Sequence, residues 1–169
     1  NVRIDLHAMP MEEISVSALG RFDLIHSSYA ISFSPFPAKV VRLCSEMLNP
    51  GGILLFSTGH PLFSGEWLEL EGEPGIFLKD YFNPLPDSRF DKKGNEIVRS
   101  AYYPLCETAR WISEAGMLIE KFLEPLPLPL SDKTVFPYSS KGWLSLHPKL
   151  SKVPVVAIFK CQVLKPARA

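Results

Sequence analysis

The residues that could do chemistry follow two apolar runs of the sequence. Ser27, Ser28 and Tyr29 come at the end of the first run, and His60 comes shortly after the second. A histidine titrates near neutral pH, so His60 is a candidate general base, although the His60-Pro61 pair could equally shape a turn. Serine hydroxyls let a ligand approach closely, or they satisfy backbone groups at the end of a strand.

Aromatic side chains are frequent in the segment that follows His60. The candidates for a ligand pocket are Phe63, Trp67, Tyr81 and Phe82. They could line a small-molecule site and exclude water from it, or they could pack against the rest of the fold. Disordered segments lack aromatic residues, and an irregular insertion of this length is usually functional. We therefore predict an inserted cap over residues 60–101.

A strand, a helix and a second strand are predicted to position these residues. The first strand covers residues 22–27, and a helix with one broad apolar stripe follows Pro37. The run 53–57 is apolar almost throughout, which is typical of a strand covered on both faces. This order predicts the βαβ unit of a parallel sheet. Ligands bind beyond the carboxyl ends of such strands, so Ser27 to Tyr29 and His60 are expected at one edge.

The remaining patterns complete an α/β fold. In chain order, we predict a short strand at 2–6, a hairpin tip at 91–95, a helix at 105–115 closed by Gly116, a strand at 117–123, an extended connector at 125–129 and a last strand at 153–159.

Two blocks of the sequence, residues 21–30 and residues 41–57, together resemble class I S-adenosylmethionine (SAM)-dependent methyltransferases of the type 11 branch. Residues 21–30, with Phe-Asp-Leu-Ile, resemble the fourth-strand motif of that family. Residues 41–57, with Leu-Asn-Pro-Gly-Gly, resemble its next helix, turn and fifth strand. The His60-Pro61, Tyr81-Phe82 and Glu124-Pro125 pairs match in the same order. The first block alone is a weak motif, but the two blocks at this spacing are specific.

The resemblance implies a Rossmann-like, mostly parallel sheet with an antiparallel C-terminal strand and an inserted cap. The family's first strand, its glycine-rich turn and the acidic residue that holds the ribose have no counterpart before Gly51. Residues 2–6 then correspond to the third strand. The resemblance therefore implies that residues 1–169 form a single, incomplete methyltransferase domain.

The resemblance also implies the cofactor and the residues that would contact it. SAM would be bound by His7, Ala8, Met9, Ser27, Ser28 and Tyr29. The acceptor would be bound by Phe63, Trp67, Tyr81, Phe82 and Tyr102, with His60 as the catalytic residue. His7 stands where the family usually has an aspartate, and Tyr102-Tyr103 replace a His-Arg pair. Methyl transfer is an in-line displacement, so positioning would carry most of the catalysis.

Composition limits the partners. The chain has 18 Lys+Arg and 18 Asp+Glu, so nothing drives it toward nucleic acid or anionic lipid. Its apolar runs are far shorter than the roughly 20 residues of a membrane span. The 3 cysteines have no metal-ligand spacing, which predicts no metal site, no disulfide framework and a cytoplasmic location. The predicted partner is a small-molecule acceptor, and a homo-oligomer stays open.

Two alternatives remain at this point. The chain could be a non-catalytic, methyltransferase-like fragment that acts in subunit association, because an open sheet edge invites pairing. It could also be a Rossmann-like enzyme with a nicotinamide cofactor, which the reversed last strand disfavours. The sequence leaves the acceptor unidentified.

Overall fold

A computed structural model describes residues 3–127 and 141–164 of the chain. Its helices are α1 (Val16–Leu19), α2 (Pro37–Met47), α3 (Leu105–Glu114) and α4 (Lys141–Leu150), with short 3-10 helices at Met11–Glu13, Ile31–Phe33 and Pro61–Ser64. Its strands are β1 (Phe22–Ser28), β2 (Leu48–Gly59), β3 (Glu66–Leu70), β4 (Glu73–Phe77), β5 (Asp87–Phe90), β6 (Glu96–Ser100), β7 (Met117–Leu123) and β8 (Val156–Val163).

Four of these strands form the central sheet, in the order β1-β2-β8-β7. Strands β1 and β2 are parallel, whereas β8 is antiparallel to both of its neighbours. Strand β8 begins two residues after Pro154, because a proline cannot donate a hydrogen bond in an interior strand. The α/β fold with an antiparallel C-terminal strand is confirmed.

The core lies between the sheet and helices α2 and α3. Helix α2 starts with Pro37 in its first turn and buries Val40, Val41 and Cys44 against Phe56 of β2. Helix α3 adds buried Trp111 and Ile112 to the same cluster. The predicted βαβ unit is therefore present, because an apolar stripe at helical spacing must be buried against another element. Strand β2 begins at Leu48, earlier than predicted, through irregular pairing with the start of β1.

The prediction of a strand at residues 2–6 is wrong, because the described residues of that range, 3–6, form no strand. Residues 3–10 have no regular secondary structure, and Ile4 and Leu6 are 75% and 90% exposed. A strand needs a neighbour to satisfy its backbone groups, and no described strand lies beside this segment. Local alternation of apolar and polar residues was therefore a misleading pattern here.

The segment 60–101 contains two β-hairpins rather than irregular chain. Strand β3 pairs with β4, and β5 pairs with β6. The predicted hairpin tip is confirmed, since Asp91 Oδ1 accepts hydrogen bonds from the backbone N–H groups of Lys93 and Asn95. The assignment of this segment as a cap, and of the whole chain as one incomplete domain, stays a prediction.

Two sequence predictions concern features that the described residues show only in part. Residues 125–127 have no regular structure, as expected for an extended connector, and residues 128–129 lie outside the described chain. Across the described residues, no helix has the length and apolar character that crossing a membrane would require.

Candidate active site

A cavity of about 470 Å³ lies at the carboxyl ends of β1 and β2. Tyr29 follows β1 directly, Gly59 ends β2, and Val155 comes just before β8, so all three line the cavity from the sheet side. Residues of hairpin β5–β6 and Tyr102 complete the lining. A site at this edge is what parallel strand direction predicts.

Tyr29 holds an unusual backbone conformation at the mouth of this cavity. Its φ is 57°, in the left-handed region that few residues other than glycine adopt. The conformation is held by Ser57, whose carbonyl oxygen and Oγ accept from the Tyr29 N–H at 3.1 and 3.2 Å. Such strain concentrates at functional sites. Burial raises the pKa of the Tyr29 phenol, so the phenol stays neutral at neutral pH.

Tyr102 packs its ring against Gly59, and both residues line the cavity. A Cβ atom on Gly59 would lie 2.6 Å from Cε1 of Tyr102, so only glycine leaves room for the ring. Burial raises the pKa of the Tyr102 phenol, and the neighbouring Asp87 and Tyr29 raise it further. Two neutral phenols, each able to donate and to accept a hydrogen bond, therefore lie close together at this site.

One face of hairpin β5–β6 supplies the charged groups of the cavity. Asp87 pairs with Ser100 and Arg89 pairs with Val98, and all four line the cavity. These residues are not among those predicted from the sequence. The predicted hairpin tip, combined with the two-residue period of a strand, would have placed them on one face.

His60 is buried behind the cavity rather than lining it. His60 is only 2% exposed. Its Nδ1 accepts from the Leu62 N–H at 3.2 Å, so Nε2 carries the proton and donates to Glu124 Oε1 at 2.8 Å. Burial lowers the pKa of His60, and Glu124 opposes that shift. The catalytic role predicted for His60 stays a prediction. Because both ring nitrogens have hydrogen-bond partners, the ring connects the Leu62 N–H to the Glu124 carboxylate.

Ser27 and Ser28 occupy the carboxyl end of β1 as predicted. The Oγ of Ser27 is buried and has no hydrogen-bond partner among the described residues, whereas Ser28 is exposed. A buried hydroxyl without a partner costs free energy, so it marks a position where a ligand atom would be stabilising.

The other predicted cofactor residues lie elsewhere. His7, Ala8 and Met9 are exposed in the segment without regular structure, and they do not line the cavity. Their placement at the site depended on a third strand at 2–6, which the described residues do not form. The structure therefore does not place these three residues at the cavity with the other predicted site residues.

Among the five predicted acceptor residues, Phe63 and Tyr102 line the cavity. Trp67 lies in β3 under Lys149 Nζ, 5.4 Å from the ring centroid. Tyr81 Oη accepts from the Leu105 N–H at 3.2 Å, and Phe82 is 76% exposed. These last three do not line the cavity, because they belong to the first hairpin and its connection to the second.

No family model matches the chain. Curated relatives do match it. The chain is 37% identical to the ubiquinone biosynthesis O-methyltransferase of Bordetella pertussis over 57 residues. The matched residues make up 34% of this chain and 24% of the relative. It is 25% identical to the enzyme of the same name from Xanthomonas axonopodis pv. citri over 119 residues. That match covers 70% of this chain and 45% of the relative. The chain thus spans between a quarter and a half of these relatives' length.

Solved structures share the fold. A SAM-dependent methyltransferase from Mesorhizobium loti superposes with a TM-score of 0.64 at 19% identity, over 91% of this chain and 67% of that one. One from Clostridium acetobutylicum gives 0.57 at 11% identity, over 96% and 66%. At such identities the likeness concerns the fold alone. The resemblance to class I SAM-dependent methyltransferases is confirmed, and so is the Rossmann-like fold class.

The residues present fit one side of a SAM site. Ser27 has a buried hydroxyl without a partner among the described residues, and Tyr29, with its left-handed backbone, follows the strand two residues later. The chain offers no glycine-rich turn for the methionine part and no counterpart of the ribose-binding carboxylate. Tyr29 lines the cavity, whereas Ser27 does not. No group of three or more potential metal ligands occurs among the described residues.

Proposed function

We propose that this chain takes part in SAM-dependent methyl transfer to a small-molecule acceptor bound in the cavity at the sheet edge. The observation that carries the proposal is the cavity itself, which opens at the carboxyl ends of β1 and β2 beside the strained Tyr29. In an open α/β sheet this is where ligands bind. The relatives named methyltransferases supply the reaction class.

The acceptor that suits this cavity is an aromatic compound with a hydroxyl group. Tyr29, Phe33, Phe63 and Tyr102 supply aromatic surface on several sides. Aromatic rings stack in offset or edge-on geometry against such surfaces, which orients a planar acceptor. The relatives named O-methyltransferases support a hydroxyl as the methylated group.

Asp87 is the group best placed to accept a proton from that hydroxyl. It is the carboxylate that lines the cavity, and it is close enough to Tyr102 to raise the pKa of that phenol. Bound SAM would supply a methyl group on a positively charged sulfur. On transfer of that methyl group to the acceptor oxygen, the carbon–sulfur bond would break and a neutral thioether would leave. Asp87 would accept the proton of the hydroxyl, and hydrogen bonds from the neutral phenols of Tyr29 and Tyr102 would hold the acceptor oxygen in line.

Methyl transfer from labelled SAM to a panel of catechols and phenols tests this proposal. We expect product with an aromatic hydroxyl and a loss of about 10²-fold or more in kcat for Asp87→Asn, the size typical of a lost general base. The matched control is Glu69→Gln, which removes an exposed carboxylate of β3 away from the cavity. Equal rates for Asp87→Asn and the wild type would remove Asp87 from the proposal.

The alternative is the non-catalytic fragment that acts in subunit association. It is supported by β1, which is an edge strand of the described sheet and leaves Phe22 and Leu24 39% and 57% exposed. Sedimentation velocity distinguishes the two. A stable oligomer that neither binds SAM nor transfers methyl groups favours the alternative, whereas methyl transfer contradicts it.

A further inference from the structure

A second cavity lies on the other face of hairpin β5–β6. Its volume is about 370 Å³, within the range of small-molecule sites. Residues 32–35 line it on one side, and Arg99, Ala101 and Tyr103 line it on the other. We propose that this cavity is a binding site for the oxyanion group, carboxylate or phosphate, of a small molecule.

Ser32 is the first observation behind this proposal. The residue is 3% exposed, and its Oγ is buried with no hydrogen-bond partner among the described residues. Its carbonyl oxygen accepts from the Ala101 N–H at 3.0 Å, which fixes the serine at the side of the cavity. Buried hydroxyls in folded proteins are nearly always satisfied, and this one, beside a cavity, has no partner among the described residues to compete with a hydrogen bond to a ligand.

Arg99 is the second observation. It lies on the hairpin face opposite Asp87 and Arg89, because alternate residues of a strand point to opposite faces. Among the described residues it takes part in no ion pair, although seven other such pairs occur there. No carboxylate lines the cavity. A guanidinium without a carboxylate is the group of choice for binding carboxylate or phosphate through two parallel hydrogen bonds.

Tyr103 adds a third donor. Its ring is fixed edge-on against Trp111 with the centroids 4.7 Å apart. Burial raises the pKa of the phenol, whereas the nearby Arg99 opposes the shift, so the hydroxyl is neutral and can donate. Arg99 and Tyr103 are therefore close enough to act on one ligand.

Ser34 is not available as a donor to such a ligand. Its Oγ donates to a carboxylate oxygen of Glu12 and accepts from the Phe36 N–H at 2.9 Å. The hydrogen bond from Ser34 also lowers the pKa of Glu12, so this carboxylate is charged, and it is not among the residues that line the cavity. The donors left for an oxyanion are Ser32, Arg99 and Tyr103.

The second cavity does not depend on the proposed methyl transfer. The two cavities lie on opposite faces of one hairpin, and Phe33 is the residue that lines both. Arg89 on the first face and Arg99 on the second are therefore a matched pair of arginines from the same hairpin. Their comparison separates a site at this cavity from general attraction of anions to the hairpin.

The test is titration of the isotopically labelled chain with inorganic phosphate and, separately, with benzoate, followed by NMR. We expect saturable shifts at the Arg99 side-chain N–H and the Ser32 amide. Arg99→Gln should weaken binding by about tenfold or more, the size of a lost charge-assisted hydrogen bond, and Ser32→Ala by severalfold. In Arg89→Gln, the shifts at the Ser32 amide and the Arg99 side chain should titrate as they do in the wild type, whatever happens at the first cavity.

The two probes also distinguish the sources of the oxyanion. Tighter binding of phosphate assigns the site to a phosphorylated compound, and tighter binding of benzoate assigns it to an aromatic carboxylate. The proposal is overturned if neither probe saturates, or if binding is lost in Arg89→Gln and kept in Arg99→Gln. Should Arg99→Gln fail to fold, unchanged affinity in Ser32→Ala overturns it as well.

Discussion

The imidazole of His60 lies between the end of β2 and the residue that follows β7, with a hydrogen bond on each ring nitrogen. Its backbone N–H also donates to Val155 at 2.9 Å, just before β8. One residue thus connects three strands of the sheet behind the cavity. A histidine that the sequence offers as a base positions the strand ends on which the site depends.

Stability should depend on pH through His60. The pKa of the folded ring lies below its ordinary 6.5, so the unfolded chain binds more protons in the window beneath that value. The stabilisation is complete above about pH 6.5 and is lost as the pH falls toward the folded pKa. Urea denaturation at a series of pH values should show this loss, and His60→Gln should flatten it.

The control for this prediction is His26→Gln, which removes an exposed histidine of β1 and should keep the slope of the wild type. Protonation of carboxylates with a lowered pKa, such as Glu107, also destabilises the fold, but this occurs at more acidic pH than the protonation of His60. A slope that is the same in the wild type and His60→Gln would show that the ring does not carry the effect.

Gly59 is required by a close approach rather than by its backbone angles. An alanine there would place Cβ 2.6 Å from the ring of Tyr102, so the ring must move. We expect Gly59→Ala to lower the free energy of unfolding by about 1–3 kcal/mol, the usual cost of overpacking. Gly75→Ala is the control, because nothing lies within 4 Å of its added Cβ. Equal stability of the two variants in urea denaturation would refute the contact.

At the scale of elements, hairpin β5–β6 lies between two cavities and supplies Asp87 and Arg89 to the first and Arg99 to the second. Its turn is organised by Asp91, whose carboxylate accepts from the Lys93 and Asn95 N–H groups at 2.8 and 2.9 Å and from Asn95 Nδ2 at 2.9 Å. These hydrogen bonds lower the pKa of Asp91, so the carboxylate is charged throughout the neutral range.

Asp91→Ala should loosen the hairpin without unfolding the core. The hairpin contributes no residue to the buried core cluster, so the midpoint of thermal unfolding should stay near that of the wild type. Amide hydrogen exchange should become faster across β5 and β6, since local opening is easier when the turn is weakened. Lys92→Ala, at the same tip, should exchange as the wild type does. Unchanged exchange in Asp91→Ala would contradict this role.

The sequence predicts the elements that are defined by their own pattern. The apolar stripe of α2 and the apolar run of β2 are local, and both elements form. The cavity residues Asp87 and Arg89 are defined by pairing across a hairpin, so they emerge only once the register is known. The strand at 2–6 fails for the same reason, because alternation shows which face is apolar but not whether a neighbouring strand exists.

At the scale of the whole molecule, the balance of 18 basic and 18 acidic residues agrees with a small acceptor rather than a polyanion. The two cavities nonetheless differ in charge. Asp87 and Arg89 line the first cavity on one face of the hairpin, and Arg99 lines the second cavity on the other face. Net charge therefore says little about the ligand groups that each cavity would recognise, and the cytoplasmic location and the homo-oligomer stay predictions.

Calorimetric titration of SAM tests the central claim most directly. SAM is titrated into the 169-residue chain and into the full product of its reading frame, with NMR of the labelled chain to locate the contact. We predict saturable binding with amide shifts at Ser27 and Tyr29, and weaker binding by Ser27→Val, which removes the unpartnered hydroxyl. Binding by neither protein, or shifts confined to residues away from the carboxyl ends of β1 and β2, would contradict the account.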